Sequence, residues 1–575
     1  MPDYINRDIK SLSLAELKGL CEELREKIKS TVIVNGGHLS SNLGVIELTV
    51  ALHYVFDLPD DKIIFDVGHQ CYAHKLLSGR ADKFDTLRRR GGISGFPKRE
   101  ESDYDCYNTG HAGTSVSAAL GIAKARDIKG GDFNVIAVIG DGSFNNGLVY
   151  EAFNSLRPLN TRILVILNDN GMSISPTVGS MHEYLEQLSR DDEHRKKIEK
   201  HSNIFERFGF SYDGVYDGND LARMIEKLTE IKEKLKTQSV ILHVLTKKGK
   251  GYAFCEEYPQ QTHGISGGAA EKAVSYSETF GNTLTALAEQ DKSIVAVTAA
   301  MTPSLGLSPF FERYPERAID VGICEEHATI LCAALATQGL KPYYAVYSTF
   351  LQRSFDEILI DICSQNLPVT MCVDRAGISG EDGETHQGVF DVSFLNVAPN
   401  LTVAVPKDAN ELIQMLKASV NFDAPLAIRY PKDCRRTFDG ESFVFGKWEY
   451  IERGDCEIAI LACGERAIGA AVDASEKLKK SGVNVSIINA RFVKPLDFEM
   501  LGNLKESHIV TVEDNQLIGG FGSLICEYYS EKMNIKVKCF GYGDVFIPHG
   551  DADGLIREMG VDADKIYGYI KNAVG

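Results

Sequence analysis

The chain has no CxxC pair, no apolar run approaching the roughly 18 residues a spanning helix needs, and less positive than negative charge. Each absence removes a class of function. Its 13 cysteines are scattered from Cys21 to Cys539 without metal-like clustering. A disulfide scaffold is therefore set aside, and a reducing cytoplasm is the expected setting. No HExxH or similar histidine spacing occurs, which discounts zinc. The stretch MPDYINRDIKSL has no apolar h-region, so no signal peptide is expected. Lys and Arg number 62 against 80 Asp and Glu, a net charge of −18. Coating nucleic acid or an anionic membrane takes a basic face, so neither partner is expected. Anionic small molecules remain open, because a few placed arginines hold a phosphate inside an acidic protein.

What is present reads as a large soluble α/β protein. The 575 residues are 44% hydrophobic and 25% charged, an ordinary globular balance. Short apolar runs alternate with helical patterns. Ser13 and Glu16 form a capping box ahead of Leu17, Leu20, Leu24 and Ile28, which share one helical face. Val135–Ile139 reads as a buried strand ending in Gly-Asp-Gly. A helical stretch near 148–156 follows, then a second strand, Arg162–Leu167, ending in Asn168-Asp169-Asn170. Segment 253–276 reads as a linker and 432–446 as a second break. The expected fold class is α/β with three domains, each a mainly parallel sheet flanked by helices, at 1–275, 276–440 and 441–575. Strands of the second block include Ile294–Thr298, Tyr343–Val346 and Val369–Val373. Those of the third lie near Ile458–Leu461, Val483–Ile488 and Ile509–Val512.

Twenty-nine residues separate Asp141 from Asn170, the length of one βαβ crossover. Parallel strands would bring both to the carboxyl edge of the sheet, where α/β proteins bind ligands. A carboxylate, an amide oxygen and a backbone carbonyl near Met172 are hard donors that suit Mg²⁺ sharing phosphate oxygens. Gly142 would let a diphosphate approach the backbone. A polar turn is the competing reading of Gly-Asp-Gly alone. Glu325, in DVGICEEH, reads either as a helix start favoured by the helix dipole or as a buried carboxylate beside an aminopyrimidine nitrogen. His38, His69, His74, His111, His263, His327 and His386 sit in Gly-, Ser- or Asp-rich surroundings. Together they indicate a polar cleft handling protons near neutral pH. Arg353, Arg375 and Arg429 suit phosphate recognition, with a structural ion pair as an equal alternative for each. Gly519-Gly520-Phe521-Gly522 resembles a phosphate loop but reads better as a structural turn.

Longer motifs sharpen this. GGHLSSNLGVIELTVALHYVF (36–56), DVGHQCYAHKLLSGR (66–80), TGHAGTSVSAALG (109–121), VIGDGS (138–143), LNDNGMSIS (167–175), YSTFLQRSFD (347–356) and DRAGISGEDGETHQGVFD (374–391) resemble the 1-deoxy-D-xylulose-5-phosphate synthases. These belong to the transketolase-like thiamine-diphosphate enzymes. The resemblance covers nearly the whole chain and implies the thiamine-diphosphate-binding fold of that group. It implies Asp141, Asn170 and Met172 as Mg²⁺ ligands, and His69, Gly110, His111, Ala112, Gly142, Ser143 and Tyr252 around the cofactor. Glu325 would partner the aminopyrimidine, with Phe350 as its stacking platform. His38, His263 and His386 would handle substrate protons, and Tyr347, Arg375, Asp382 and Arg429 would form the acceptor site beside Arg353. The implied reaction condenses pyruvate with D-glyceraldehyde 3-phosphate, giving 1-deoxy-D-xylulose 5-phosphate and carbon dioxide. That product is a precursor of isoprenoids, thiamine and pyridoxal. A cytoplasmic homodimer is implied.

Several positions depart from the group's pattern. The stretch between Ser175 and Phe205 is short, Gly110-His-Ala-Gly113 replaces a Gly-His-Ser-Ser, and Ser143-Phe-Asn-Asn-Gly147 is atypical. Gly171 stands where glutamate is common, and Glu326 where glutamine is usual. The alternatives are a carboligase with another aldehyde, ketol transfer of the transketolase type, and a silent paralogue serving as a scaffold.

Overall fold

The computed structural model describes residues 4–173, 177–189, 203–267, 273–440, 443–532 and 534–574. Of the short stretch noted after Ser175, residues 190–202 lie outside them. The chain forms two compact units, Met1–Ala270 with Gly322–Cys324, and Glu271–Val321 with Glu325–Gly575.

In the first unit, the helix Leu14–Asn35 starts at a capping box in which Ser13 and Glu16 cap each other's backbone amides. Leu17, Leu20, Leu24 and Ile28 are fully buried on its inner face. Five parallel strands follow in the spatial order Lys62–Phe65, Val135–Gly140, Leu164–Asp169, Val240–Leu245 and Ser211–Asp217. Burial on both faces explains why the inner strands run largely as Val, Ile and Leu rather than alternating, whereas the half-buried edge strand Ser211–Asp217 is polar. The third strand begins at Leu164, two residues after its sequence expectation. Arg162 is drawn aside, its guanidinium donating to the carbonyls of Leu235 and Lys236. The strand ends at Asp169 and sets Asn170 just past the sheet edge.

The expected linker at 253–276 is structured over much of its length. Ala253–Glu257 is a short helix, and Ile265–Ser266 pairs with Gly36–Gly37. Residues 268–272 fall outside the described set. The break at 432–446 likewise contains a paired segment, Asp433–Cys434 against Val274–Ser275.

Besides that two-stranded pairing, the described residues of the second unit form two larger sheets. The larger runs Ala318–Asp320, Ile294–Thr298, Lys341–Tyr347, Thr370–Asp374, Leu426–Arg429, Thr402–Ala404 and Phe492–Lys494. Its first six strands are parallel and the last antiparallel. The smaller has the order Glu449–Glu452, Ser486–Asn489, Ile458–Cys463, His508–Gln516 and Lys536–Tyr542, with only its first strand antiparallel. The edge strand Phe492–Lys494 thus leaves the last block of sequence to complete the sheet of the middle block. Among the described residues no helix is long and apolar enough to cross a membrane.

Candidate active site

In the first unit, Asp141 emerges at the carboxyl end of Val135–Gly140 and is 1% exposed. The Asn170 amide donates to its Oδ1 at 3.3 Å, and the Thr177 hydroxyl to its Oδ2 at 2.5 Å. Asn170 Oδ1 accepts from the Met172 amide at 3.2 Å, so Asp141, Asn170 and Met172 form one polar knot across adjacent strands. Burial, reinforced by the Asp169 charge, pushes the Asp141 carboxyl up to about 7. Lys248, buried and donating to Ser173 O, is pushed down to about 8 by burial against the pull of Asp141. Among the described residues no group of three or more His, Cys, Asp or Glu side chains is disposed to hold a metal ion. The carboxylate of Asp141 and the amide oxygen of Asn170 are hard oxygen donors.

The loop Gly110-His111-Ala112-Gly113 is held by a residue that sequence reasoning passed over. Asp66, 1% exposed at the end of Lys62–Phe65, accepts the Gly113 amide at 2.8 Å and the Ser115 amide at 3.0 Å. Gly113 has φ +83, and a Cβ there would lie 2.5 Å from Asn146 Oδ1. The two departures at 110–113 and 143–147 are thus one packing contact. Gly142 and Ser143 are buried in the turn Asp141–Phe144.

His38, His69 and His263 gather into one cluster, their ring centroids 5.2–5.4 Å apart. Asn42, also unremarked in the sequence, ties it together, donating to the carbonyls of His38 at 2.6 Å and His69 at 2.7 Å. Burial, then Lys248 and the other two imidazoles, hold His263 well below the usual histidine range. It is therefore neutral near pH 7. His111 and Tyr252 are half-buried in the same unit, with the Lys29 ammonium 5.4 Å from the Tyr252 ring centre. His74 and His327 depart from expectation. His74 lies in the helix Tyr72–Lys75, 1% exposed, its Nδ1 2.9 Å from His53 Nε2 and its Nε2 2.9 Å from Asp105 Oδ1. Both ring nitrogens are satisfied inside the core, so His74 is structural. His327 belongs to the helix Glu325–Thr337.

In the second unit, Glu325 opens the helix Glu325–Thr337 and is 2% exposed. Its Oε2 is buried without a hydrogen-bond partner among the described residues. Burial pushes the carboxyl up to about 7, Glu326 adds to the effect, and Arg353 opposes it. A bare carboxylate oxygen in a dry site is costly unless a donor arrives. Nearby elements assemble a second cluster. Phe350 stacks on Tyr347 at 5.7 Å and meets His386 edge-on at 5.6 Å, while the Arg375 guanidinium lies 3.8 Å from the centre of the Tyr347 ring. Arg375 has φ +55, a strained conformation for a side-chain-bearing residue. Asp382 precedes the short turn Gly383–Thr385, which leads into His386.

Arg429 differs from Arg375. It is 3% exposed, its Nε donates to Asp391 Oδ2 at 2.8 Å and its Nη2 to Asp514 O at 3.1 Å. The ion pair weighed for every arginine is present here. In the glycine-rich turn at 519–522, Glu513 accepts the amides of Phe521 and Gly522 at 2.8 Å each. The protein's own carboxylate occupies the place a phosphate would take.

Comparison with known proteins gives consistent matches. Residues 4–201 and 186–246 match the family model described as 1-deoxy-D-xylulose-5-phosphate synthase. Residues 272–436 match the transketolase pyrimidine binding domain, and 446–566 the transketolase C-terminal domain. A 1-deoxy-D-xylulose-5-phosphate synthase from Caldanaerobacter subterraneus subsp. tengcongensis is 47% identical, over 97% of this chain and 96% of its own. The enzyme of the same name from Clostridium tetani is 45% identical over 97% of each. The solved transketolase of Campylobacter jejuni, 18% identical, aligns over 98% of this chain and 100% of its own with a TM-score of 0.45.

Proposed function

The chain belongs to the 1-deoxy-D-xylulose-5-phosphate synthase family, and from that premise we propose that it condenses pyruvate with D-glyceraldehyde 3-phosphate. The products are carbon dioxide and 1-deoxy-D-xylulose 5-phosphate. The observation that carries this reading is the bare, buried Oε2 of Glu325, a carboxylate oxygen suited to a protonated ring nitrogen. Thiamine diphosphate, when bound, supplies the electron sink that lets a 2-oxo acid lose carbon dioxide and its remaining fragment add to an aldehyde.

The residues divide the remaining work. Glu325 holds a proton at the pyrimidine, and Phe350 offers its face as a platform. Arg353 tempers the burial of Glu325. Asp141, Asn170 and the Met172 carbonyl would hold Mg²⁺, whose charge offsets the buried Asp141. His69, Gly110, His111, Ala112, Gly142, Ser143 and Tyr252 would hold the diphosphate and the rest of the cofactor. His38 and His263, neighbours in one cluster, and His386 move protons at the substrate oxygens. Tyr347, Arg375 and Asp382 bind the aldehyde phosphate, with Arg375 on the phosphate and its guanidinium kept flat on Tyr347. Arg429 joins that site from its ion pair with Asp391. We further propose a cytoplasmic homodimer and three domains at 1–275, 276–440 and 441–575, a division supported by the three larger sheets.

The test is carbon dioxide release from pyruvate with thiamine diphosphate and Mg²⁺, with and without D-glyceraldehyde 3-phosphate. Release that rises with the aldehyde phosphate, matched by a five-carbon product, is expected. Release indifferent to it would point to another acceptor. No release, with activity on a phosphoketose donor, would assign ketol transfer instead.

A further inference from the structure

We infer that Asp514, on the last sheet of the second unit, is a positioning residue for the acceptor site, clamping the loop that carries Arg375, Asp382 and His386. The inference rests on the proposed function and extends it to a part of the chain for which no role in the reaction has been assigned.

The loop leaves the strand Thr370–Asp374 and closes on itself, Gly377 and Gly388 exchanging backbone hydrogen bonds at 2.6 and 2.8 Å. Arg375, Asp382 and His386 all lie on it or at its mouth. Its conformation is not one the chain would choose alone, since Arg375 has φ +55. Strained backbone persists only where its surroundings over-determine it. Here the last sheet supplies the restraint. The amide of Ile378 donates to Asp514 Oδ1 at 3.2 Å, and the carbonyl of Ile378 accepts from Arg466 Nη1 at 2.8 Å. Both polar groups of one loop residue are thus held by side chains from the last sheet and its flanking helix. The same Arg466 Nη1 donates to Asp514 Oδ2 at 2.9 Å, and Tyr542 donates to Asp514 Oδ1 at 2.5 Å.

The fit is close. A Cβ on Gly377 would lie 1.9 Å from Asp514 Oδ2, so the carboxylate rests directly against the loop backbone. The main chain of Asp514 adds a second link, its carbonyl accepting from Arg429 Nη2 at 3.1 Å. One residue therefore restrains the loop after Arg375 through its side chain and Arg429 through its backbone. The two expected phosphate-binding arginines are registered against a single anchor. A carboxylate bonded to a guanidinium, a phenol and an amide is a rigid, charge-assisted node.

A merely structural role would disturb all substrates alike. A positioning role affects the phosphate contact first. The experiment compares D-glyceraldehyde 3-phosphate with unphosphorylated D-glyceraldehyde as acceptors for wild type, Asp514→Asn, Arg466→Lys, Arg375→Met and Tyr569→Phe. The last removes a hydrogen bond to His508 elsewhere on the same sheet and serves as a stability control. In Asp514→Asn the preference for the phosphorylated aldehyde should fall about tenfold. The fall should appear as a higher KM for that aldehyde, with the KM for pyruvate changed less than about twofold. Arg466→Lys keeps the charge but not the fork and should fall between wild type and Asp514→Asn; it carries the test if Asp514→Asn does not fold. Tyr569→Phe should keep the preference. Loss of preference in Arg375→Met but not in the Asp514 or Arg466 variants overturns the clamp alone. Equal losses on both aldehydes and on pyruvate also overturn it. A wild-type enzyme indifferent to the phosphate overturns the acceptor-site reading and the clamp with it.

Discussion

Asp141 in the first unit and Glu325 in the second are carboxyls of nearly equal acidity in very different company. Each is at most 2% exposed, and burial pushes each up to about 7. Asp141 already accepts from an amide and a hydroxyl. Its remaining deficit is one of charge, which a cation corrects. Glu325 lacks a donor at Oε2, a deficit that a protonated ligand nitrogen corrects. A shifted acidity marks burial; the unfilled valence distinguishes what the site is waiting for. Glu513 supports the distinction. It is pushed up to about 8 by burial although it accepts two amides, and nothing is left for a ligand to do there.

Variants at these three carboxylates test that contrast. The largest effect is expected at Glu325. Glu325→Gln should lower turnover by roughly 10²–10⁴-fold, while Mg²⁺-dependent retention of thiamine diphosphate, followed by calorimetry, persists. Near-normal turnover would remove Glu325 from its proposed role. Asp141→Asn should act the other way round. Roughly 100-fold more Mg²⁺ should be needed to retain the cofactor, with activity recovering substantially at saturating metal.

A smaller effect is expected in stability without cofactor. The Glu325 carboxyl is raised from its ordinary value of 4.5. Its favourable contribution is therefore full below pH 4.5 and is lost as pH rises through about 7. Denaturant melts of the apoprotein should show Glu325→Gln gaining on wild type by up to about 3 kcal/mol between pH 4.5 and 8. A difference independent of pH would contradict the assigned burial. Glu513→Gln should do least. One of its two amide bonds weakens, at about 1 kcal/mol near neutral pH, and turnover should stay within about twofold. A large loss of activity there would blur the contrast between filled and unfilled carboxylates.

Much of the fold was legible because it rests on local signals. The capping box at Ser13 and Glu16 requires only residues three apart, and the strand Ile294–Thr298 is a β-branched run that appears where it was expected. The Asp141–Asn170 juxtaposition followed from crossover length. What stayed hidden depends on partners distant in sequence. Asp66 lies 47 residues from Gly113, and Asp514 lies 136 from Ile378. Neither carboxylate differs in sequence from an ordinary strand-end acid. His74 misled because it was grouped with the other histidines of Gly-, Ser- or Asp-rich stretches, whereas Asp105 and His53, distant in sequence, satisfy it within the core. Arg375 and Arg429 each stand at the end of a strand of one sheet. Both meet a carboxylate, Arg375 that of Asp374 at 3.3 Å and Arg429 that of Asp391 at 2.8 Å, and only depth of burial separates the partly exposed arginine stacked on an aromatic face from the one enclosed with its partner.

The contact between Gly113 and Asn146 has a consequence for how this sequence can change with time. Any side chain larger than hydrogen at 113 meets the Asn146 amide at 2.5 Å, so a substitution tolerated at one position depends on what stands at the other. Drift through this loop is coupled. A serine at 113 becomes accessible only after 146 has shrunk, and an asparagine at 146 only once 113 has lost its side chain. Two unusual stretches 33 residues apart thus meet at one contact, and a chimera that borrows one without the other inherits a collision at the rim of its own binding loop.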